Sequence, residues 1–156
     1  MFEINEIHDP NQKSNICNDT LRALPNWFGN ESAIVEYARQ VRIQPFFAAL
    51  DKDKAIGFVA IKLHNPCASE VCVMGVSKEY HRQGIGKMLI ERCEEYCREG
   101  KMEFLTVKTL DESRESKSYE KTRLFYTSMG FKPLEVFPLH WDKDNPCLFM
   151  AKHIGL

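Results

Sequence analysis

No run of the 156 residues approaches the ~20 consecutive apolar side chains that a membrane-spanning helix needs. The first residues, MFEINEIHDPNQ, have neither a basic start nor an apolar stretch. No secretory signal is therefore expected, and a cytoplasmic location is the default reading. An excess of one charge is also missing. The chain has 22 acidic and 21 basic residues and a net charge of -1, which leaves no global footprint for nucleic acid or an anionic membrane. None of the six cysteines (Cys17, Cys67, Cys72, Cys93, Cys97, Cys147) forms a CxxC pair or has a histidine at zinc-finger spacing, so no metal is expected. They read as small hydrophobes in a reducing compartment. Internal repeats and low-complexity tracts are absent, and residues 1–156 read as one domain without a linker.

What is present is alternation and helical spacing in a regular order. MFEINEI alternates as a first strand, residues 14–24 are weakly helical up to Pro25, and Asn30 is placed to cap a helix over 32–41. PFFAAL, DKDK and AIGFVAIKLH read as a hairpin, and NPCAS turns into the strand EVCVMGV, residues 70–76. Gly75 in that strand points to a bulge or a close backbone approach. Ile85, Met88, Leu89, Cys93 and Tyr96 recur at helical spacing, and Gly100 closes that helix. MEFLTVKTL is a further strand, and DESRESKS is polar and solvated. YEKTRLFYTSMGF is a helix ended by Gly130, and KPLEVFPL and CLFMAKHI are two last strands joined by the loop HWDKDNP. This order predicts an α+β fold, a mixed and mostly antiparallel central sheet of about seven strands with helices on both faces.

The stretch EYHRQGIGKML, residues 79–89, sets Arg82 and Lys87 at the entrance of a helix, where the first turn favours acidic residues. An anion held there removes the conflict, because Gly84 and Gly86 let backbone amides approach it closely. A phosphate or pyrophosphate is the expected guest. The Walker pattern GxxxxGK[ST] is absent, and a dinucleotide fingerprint fails because Leu89 stands where its third glycine belongs.

VMGVSKEYHRQGIGKMLIE resembles the acetyl-CoA-binding segment of the GNAT family of N-acetyltransferases, whose signature is [RQ]-x-x-G-x-[GA] after a strand. FYTSMGF is similar to that family's later signature, an aromatic–tyrosine pair before a helix-ending Gly-Phe, and the element order matches over essentially the whole chain. Two positions depart from the pattern: His81 replaces Arg or Gln, and Tyr119 stands where relatives commonly have asparagine.

The resemblance implies transfer of an acetyl group from acetyl-CoA to a primary amine of a small molecule or peptide, by direct attack in a ternary complex. Such a reaction needs a deprotonated amine, a stabilised oxyanion and a proton for the thiolate. It implies cofactor contacts at His81, Arg82, Gln83, Gly84, Ile85, Gly86 and Lys87, at the backbone of Met74, Gly75 and Val76 around a bulge at Gly75, and at Tyr119 and Phe125. Tyr126 is the implied general acid and Glu70 the implied base, with Glu103 and His64 as alternatives. Trp27, Phe28 and Trp141, with His140, are placed to line an acceptor pocket. No metal, nucleic acid or membrane partner is implied, and a homodimer is compatible with this reading. A non-catalytic acyl-CoA-sensing module on the same fold, and a phosphate-binding domain unrelated to CoA, are the competing readings.

Overall fold

The structure is a computed structural model that describes residues 2–155. Among these residues the chain runs β1 (Phe2–Glu6), α1 (Pro10–Arg22), α2 (Glu31–Gln40), β2 (Phe46–Asp51), β3 (Lys54–Asn65), β4 (Ala68–Val76), α3 (Ile85–Glu99), β5 (Phe104–Leu110), α4 (Lys117–Ser128), β6 (Lys132–Asp142) and β7 (Asn145–His153). Single 3-10 turns occupy Val41–Ile43 and Lys78–Tyr80. The strands form one sheet in the order β1-β2-β3-β4-β5-β7-β6, parallel only between β4 and β5. The expected mixed, mostly antiparallel sheet is therefore present. No helix among the described residues is long and apolar enough to cross a membrane.

Helices cover both faces of the sheet. Ile85, Leu89, Ile90 and Cys93 of α3 and Tyr126 of α4 pack with Phe47, Val59 and Ile61 on one face. Cys17 and Leu21 of α1 and Ile34 and Ala38 of α2 pack with Phe46, Phe58 and Ala60 on the other. Buried on both sides, β2 and β3 read as nearly continuous apolar runs rather than clean alternation.

Three boundaries differ from the sequence expectation. Helix α1 begins at Pro10, earlier than residue 14, because the Asp9 carboxylate accepts from Gln12 N–H at 2.9 Å and Pro10 fits the first turn. Helix α4 begins at Lys117, capped by the Ser116 hydroxyl, which accepts from Tyr119 N–H. Most of HWDKDNP is strand, and β6 and β7 meet at the tight turn over Lys143 and Asp144.

The correction that matters most for the site concerns the bulge. Gly75 lies in regular register opposite Phe58. The pairing slips instead between Ala60 and Ile61, whose partners are Val73 and Val71, so Cys72 is the extra residue. An added residue reverses the alternation of sides. Val71 accordingly joins the α3 side of the core and Val73 the α1 side. Gly75 serves the other purpose its position suggested, a close approach: a Cβ there would lie 3.1 Å from Thr20 of α1 and 3.2 Å from Leu24 just beyond that helix.

Candidate active site

β4 and β5 pair for only four positions, from Ala68–Phe104 to Val71–Val107, and then separate. Beyond that point β5 is held by β7 and β4 by β3. The hydrogen bond from Ser77 N–H to the Ile56 carbonyl sets the phase of the β3–β4 ladder. Antiparallel pairs alternate in hydrogen bonding, so Gly75 and Val73 turn their peptide groups toward β3. Met74 and Val76 turn theirs toward the gap that β5 has left.

The gap opens at the entrance of α3. Arg82 and Gly84 both have left-handed backbone, at φ 64 and 80, and Gly84 caps the helix without a side-chain hydrogen bond. A left-handed non-glycine residue such as Arg82 is uncommon and marks a loop constrained by its surroundings. Among the described residues, none of the amides from Arg82 to Lys87 donates to a protein acceptor; the first ladder bond runs from Met88 N–H to the Gly84 carbonyl. Arg82 and Lys87 are exposed and have no carboxylate partner among the described residues. Unpartnered amides, the helix dipole and two free cations together make an anion cradle. Gly86 serves packing: a Cβ there would meet the Phe125 ring at 3.1 Å, so the glycine seats α4 against the cradle. Gln83 donates to the Glu79 carbonyl at 3.3 Å, and Ile85 is buried in the core.

His81 is engaged within the protein. Its Nε2–H donates to the Val76 carbonyl at 2.7 Å, which ties the loop to the end of β4 and fixes the ring tautomer. Tyr119 likewise works within the protein: its hydroxyl donates to the Trp27 carbonyl at 2.7 Å. The Trp27 indole N–H in turn is shared between the Ser118 carbonyl and Thr122 Oγ1, and its ring stands edge-on to His81. Trp27 thus clasps the α1–α2 connection to both α4 and the loop that carries His81. Phe28 packs edge-on to Tyr37, inside the α1–α2 layer.

Tyr126 is buried between Phe125 and Phe131. Its hydroxyl has no hydrogen-bond partner among the described residues and is not sealed from solvent. Burial, with smaller contributions from Cys93, Tyr119 and Tyr37, pushes its pKa well above the usual phenol value, so it stays protonated. Glu70, also buried, lies where β4 and β5 part. Its Oε1 accepts from Lys108 Nζ at 2.8 Å and lies 2.6 Å from His64 Nε2, leaving Oε2 without a described partner.

Two candidates fall elsewhere. Glu103 sits ahead of β5, where β4 and β5 are still paired, and its carbonyl binds the Ile154 and Gly155 amides. Trp141 is on β6, the outermost strand, separated from β4 by β5 and β7, with His140 as its ring neighbour. Two residues that the sequence did not single out lie on β5 where it leaves β4: Lys108, which partners Glu70, and Thr109. Thr109 Oγ1 is sealed from solvent without a hydrogen-bond partner, one residue beyond Lys108 on the splayed part of β5. Polar residues in an otherwise apolar strand were the only sequence signal for either. No metal-binding group of three or more His, Cys, Asp or Glu occurs among the described residues.

A sheet split between two parallel strands, with an amide-lined helix entrance at the mouth of the split, is the acyl-CoA N-acyltransferase fold. Solved structures share it across almost the whole chain. A GNAT-family protein from Desulfovibrio desulfuricans superposes with a TM-score of 0.84, 13% identity, 99% of this chain and 100% of that one. An aminoglycoside 6'-N-acetyltransferase in complex with coenzyme A gives a TM-score of 0.77 at 21% identity, covering 97% of each chain. In sequence, residues 42–133 match the acetyltransferase (GNAT) domain, and the chain belongs to this family. An uncharacterized N-acetyltransferase of Chlorobaculum tepidum is 29% identical over 93 residues, 60% of this chain and 53% of the relative. The match thus spans about half the length of that curated relative.

Proposed function

We propose that the protein is an acetyl-CoA-dependent N-acetyltransferase acting on a primary amine. The observation that carries this reading is the run of unpartnered amides over residues 82–87 at the entrance of α3, shortly after the strand whose Met74 peptide group and Val76 N–H face the split. The residues fit an acylated pantetheine carrier: the cradle suits a pyrophosphate, and the Met74 peptide group facing the split suits an amide arm. A relative of the same fold was solved with coenzyme A. When bound, acetyl-CoA supplies an activated thioester.

The chain's own groups supply the remainder. The cradle amides with Arg82 and Lys87 hold the phosphates. The Met74 N–H is the donor for charge developing on the carbonyl oxygen, and it is already oriented by the β3 ladder. Glu70, with Oε2 open, takes the proton that the amine must lose before attack, directly or through water. Tyr126, kept protonated by burial, donates to the departing sulfur. His81 and Tyr119 act as positioning residues for the loop and the α1–α2 connection rather than as ligands. The cytoplasmic location and the single-domain organisation belong to the same reading.

The test is acetyl-CoA turnover over a panel of amines with detection of free thiol, comparing the native protein with Tyr126→Phe. Loss of a general acid is expected to lower kcat on the order of 10²-fold while coenzyme A affinity is kept. Tight coenzyme A binding with no thiol release for any amine would instead support a sensor.

A further inference from the structure

Between the end of α2, the turn Val41–Ile43 and β3 lies a groove of about 600 Å³. Its walls include Arg39, Arg42, Ile43, Gln44, Lys62 and Leu63, and no acidic side chain lines it. Arg39 is neutralised by Glu36. Arg42 only donates to Asn11, and Lys62 has no carboxylate within ion-pair distance among the described residues. Two free cations therefore face this space.

The apolar part of the wall is equally distinctive. Ile43 is 91% exposed and Leu63 50% exposed, among the large hydrophobics that the fold leaves uncovered. Gln44 Oε1 is sealed from solvent and accepts from no described donor, while its Nε2 reaches toward the Cys72 sulfur at 3.5 Å. The Cys72 thiol in turn points to Gln40. The bulge residue of β4 is thus tied to the inner side of the groove.

The groove also leads to the candidate base. Lys62 lies directly opposite Glu70 in the β3–β4 register. We infer that the acceptor amine is carried on an acidic peptide segment seated in this groove. Its carboxylates meet Arg42 and Lys62, and its apolar side chains cover Ile43 and Leu63. The amine then reaches Oε2 of Glu70. A nucleic acid would match the cations but would leave the two exposed aliphatic side chains unmatched. The inference rests on the acetyltransferase reading given above.

Fluorescence anisotropy tests it on the whole chain, without acetyl-CoA. The probes are a labelled peptide with one lysine flanked by Glu and Leu, the same peptide with Gln for Glu, and the same with Lys for Glu. Two exposed ion pairs favour the Glu peptide over the Gln peptide on the order of tenfold at low salt, and less at high salt. Arg42→Glu combined with Lys62→Glu should invert the order, so that the Lys peptide binds best. Equal affinities within twofold for Glu and Gln peptides, or an unchanged order in the double variant, would overturn the inference. So would tighter binding of a labelled single-stranded oligonucleotide than of the Glu peptide. A parallel thermal shift with coenzyme A separates the two levels. Coenzyme A binding without charge preference overturns the groove assignment alone. Charge preference without a coenzyme A shift supports the groove and overturns the acetyltransferase reading.

Discussion

Gly84 allows the conformational and the electrostatic roles of the phosphate cradle to be measured separately. Its φ is +80, and a Cβ at this position would meet nothing within 4 Å. Any side chain therefore costs only left-handed strain, about 1–2 kcal/mol for an ordinary residue. At ~2–4 °C per kcal/mol for a chain of this size, Gly84→Ala should lower Tm by roughly 2–8 °C. Gly84→Asn should cost less, because asparagine tolerates the left-handed region. Gly84→Glu adds the same strain and also a carboxylate beside the amides of residues 82–87. At ~6 Å and an effective dielectric constant near 40, each phosphate charge meets about 1.4 kcal/mol of repulsion. For a doubly charged pyrophosphate the sum is about 3 kcal/mol, or on the order of 100-fold in coenzyme A affinity. Titration calorimetry with coenzyme A, paired with thermal melts, reads both quantities. The expected pattern is similar Tm loss for Ala and Glu, with affinity nearly kept in the first and about 100-fold weaker in the second. If Glu and Ala bind coenzyme A within threefold of each other, the anion does not sit on these amides.

Thr109→Val removes a sealed hydroxyl that has no partner among the described residues, so the protein should gain about 1 kcal/mol with coenzyme A affinity kept. A Tm loss in thermal melts would show that the hydroxyl is satisfied in the folded protein. Trp27→Phe deletes the indole donor to Ser118 and Thr122, at a cost of about 1 kcal/mol. Stopped-flow release of coenzyme A should speed up in that variant, and an unchanged off-rate would make the clasp purely structural. Burial raises Cys17 to about 12 and Cys147 to about 11, and it also raises Cys93 and Tyr126. All four hold their protons more tightly folded than unfolded. Their contribution is therefore complete below about pH 8 and is lost as pH rises above the ordinary thiol value near 9. Urea midpoints should fall between about pH 9 and 11. Midpoints flat or rising across that window would contradict the burial of these groups.

What could be read from the sequence was local. Glycines 84 and 86 beside cations, the 3.6-residue spacing of Ile85, Leu89 and Cys93, and the apolar runs of β2 and β3 each report on a few neighbouring residues. Helices and strand order were accordingly legible, and so was the burial of Tyr126 on α4. Local signals that were overlooked explain the misplaced boundaries: Asp9-Pro10 and Ser116 are helix starts by their own chemistry.

The active-site geometry depends on partners distant in the chain. The bulge falls at Cys72 rather than Gly75 because register is a property of two strands, and Gly75 answers to α1 instead. Glu70 gains its character from Lys108, 38 residues away, and Trp27 is bound by Tyr119, 92 residues away. His81 and Tyr119 read as ligand contacts in one dimension, and in three each has a hydrogen-bond partner within the chain. The glycine-and-cation pattern at the start of α3 is local and can be read in one dimension. Where the sheet splits, which amides face the split and which carboxylate stands beside it come from the tertiary fold, because each depends on long-range pairing that no local pattern encodes.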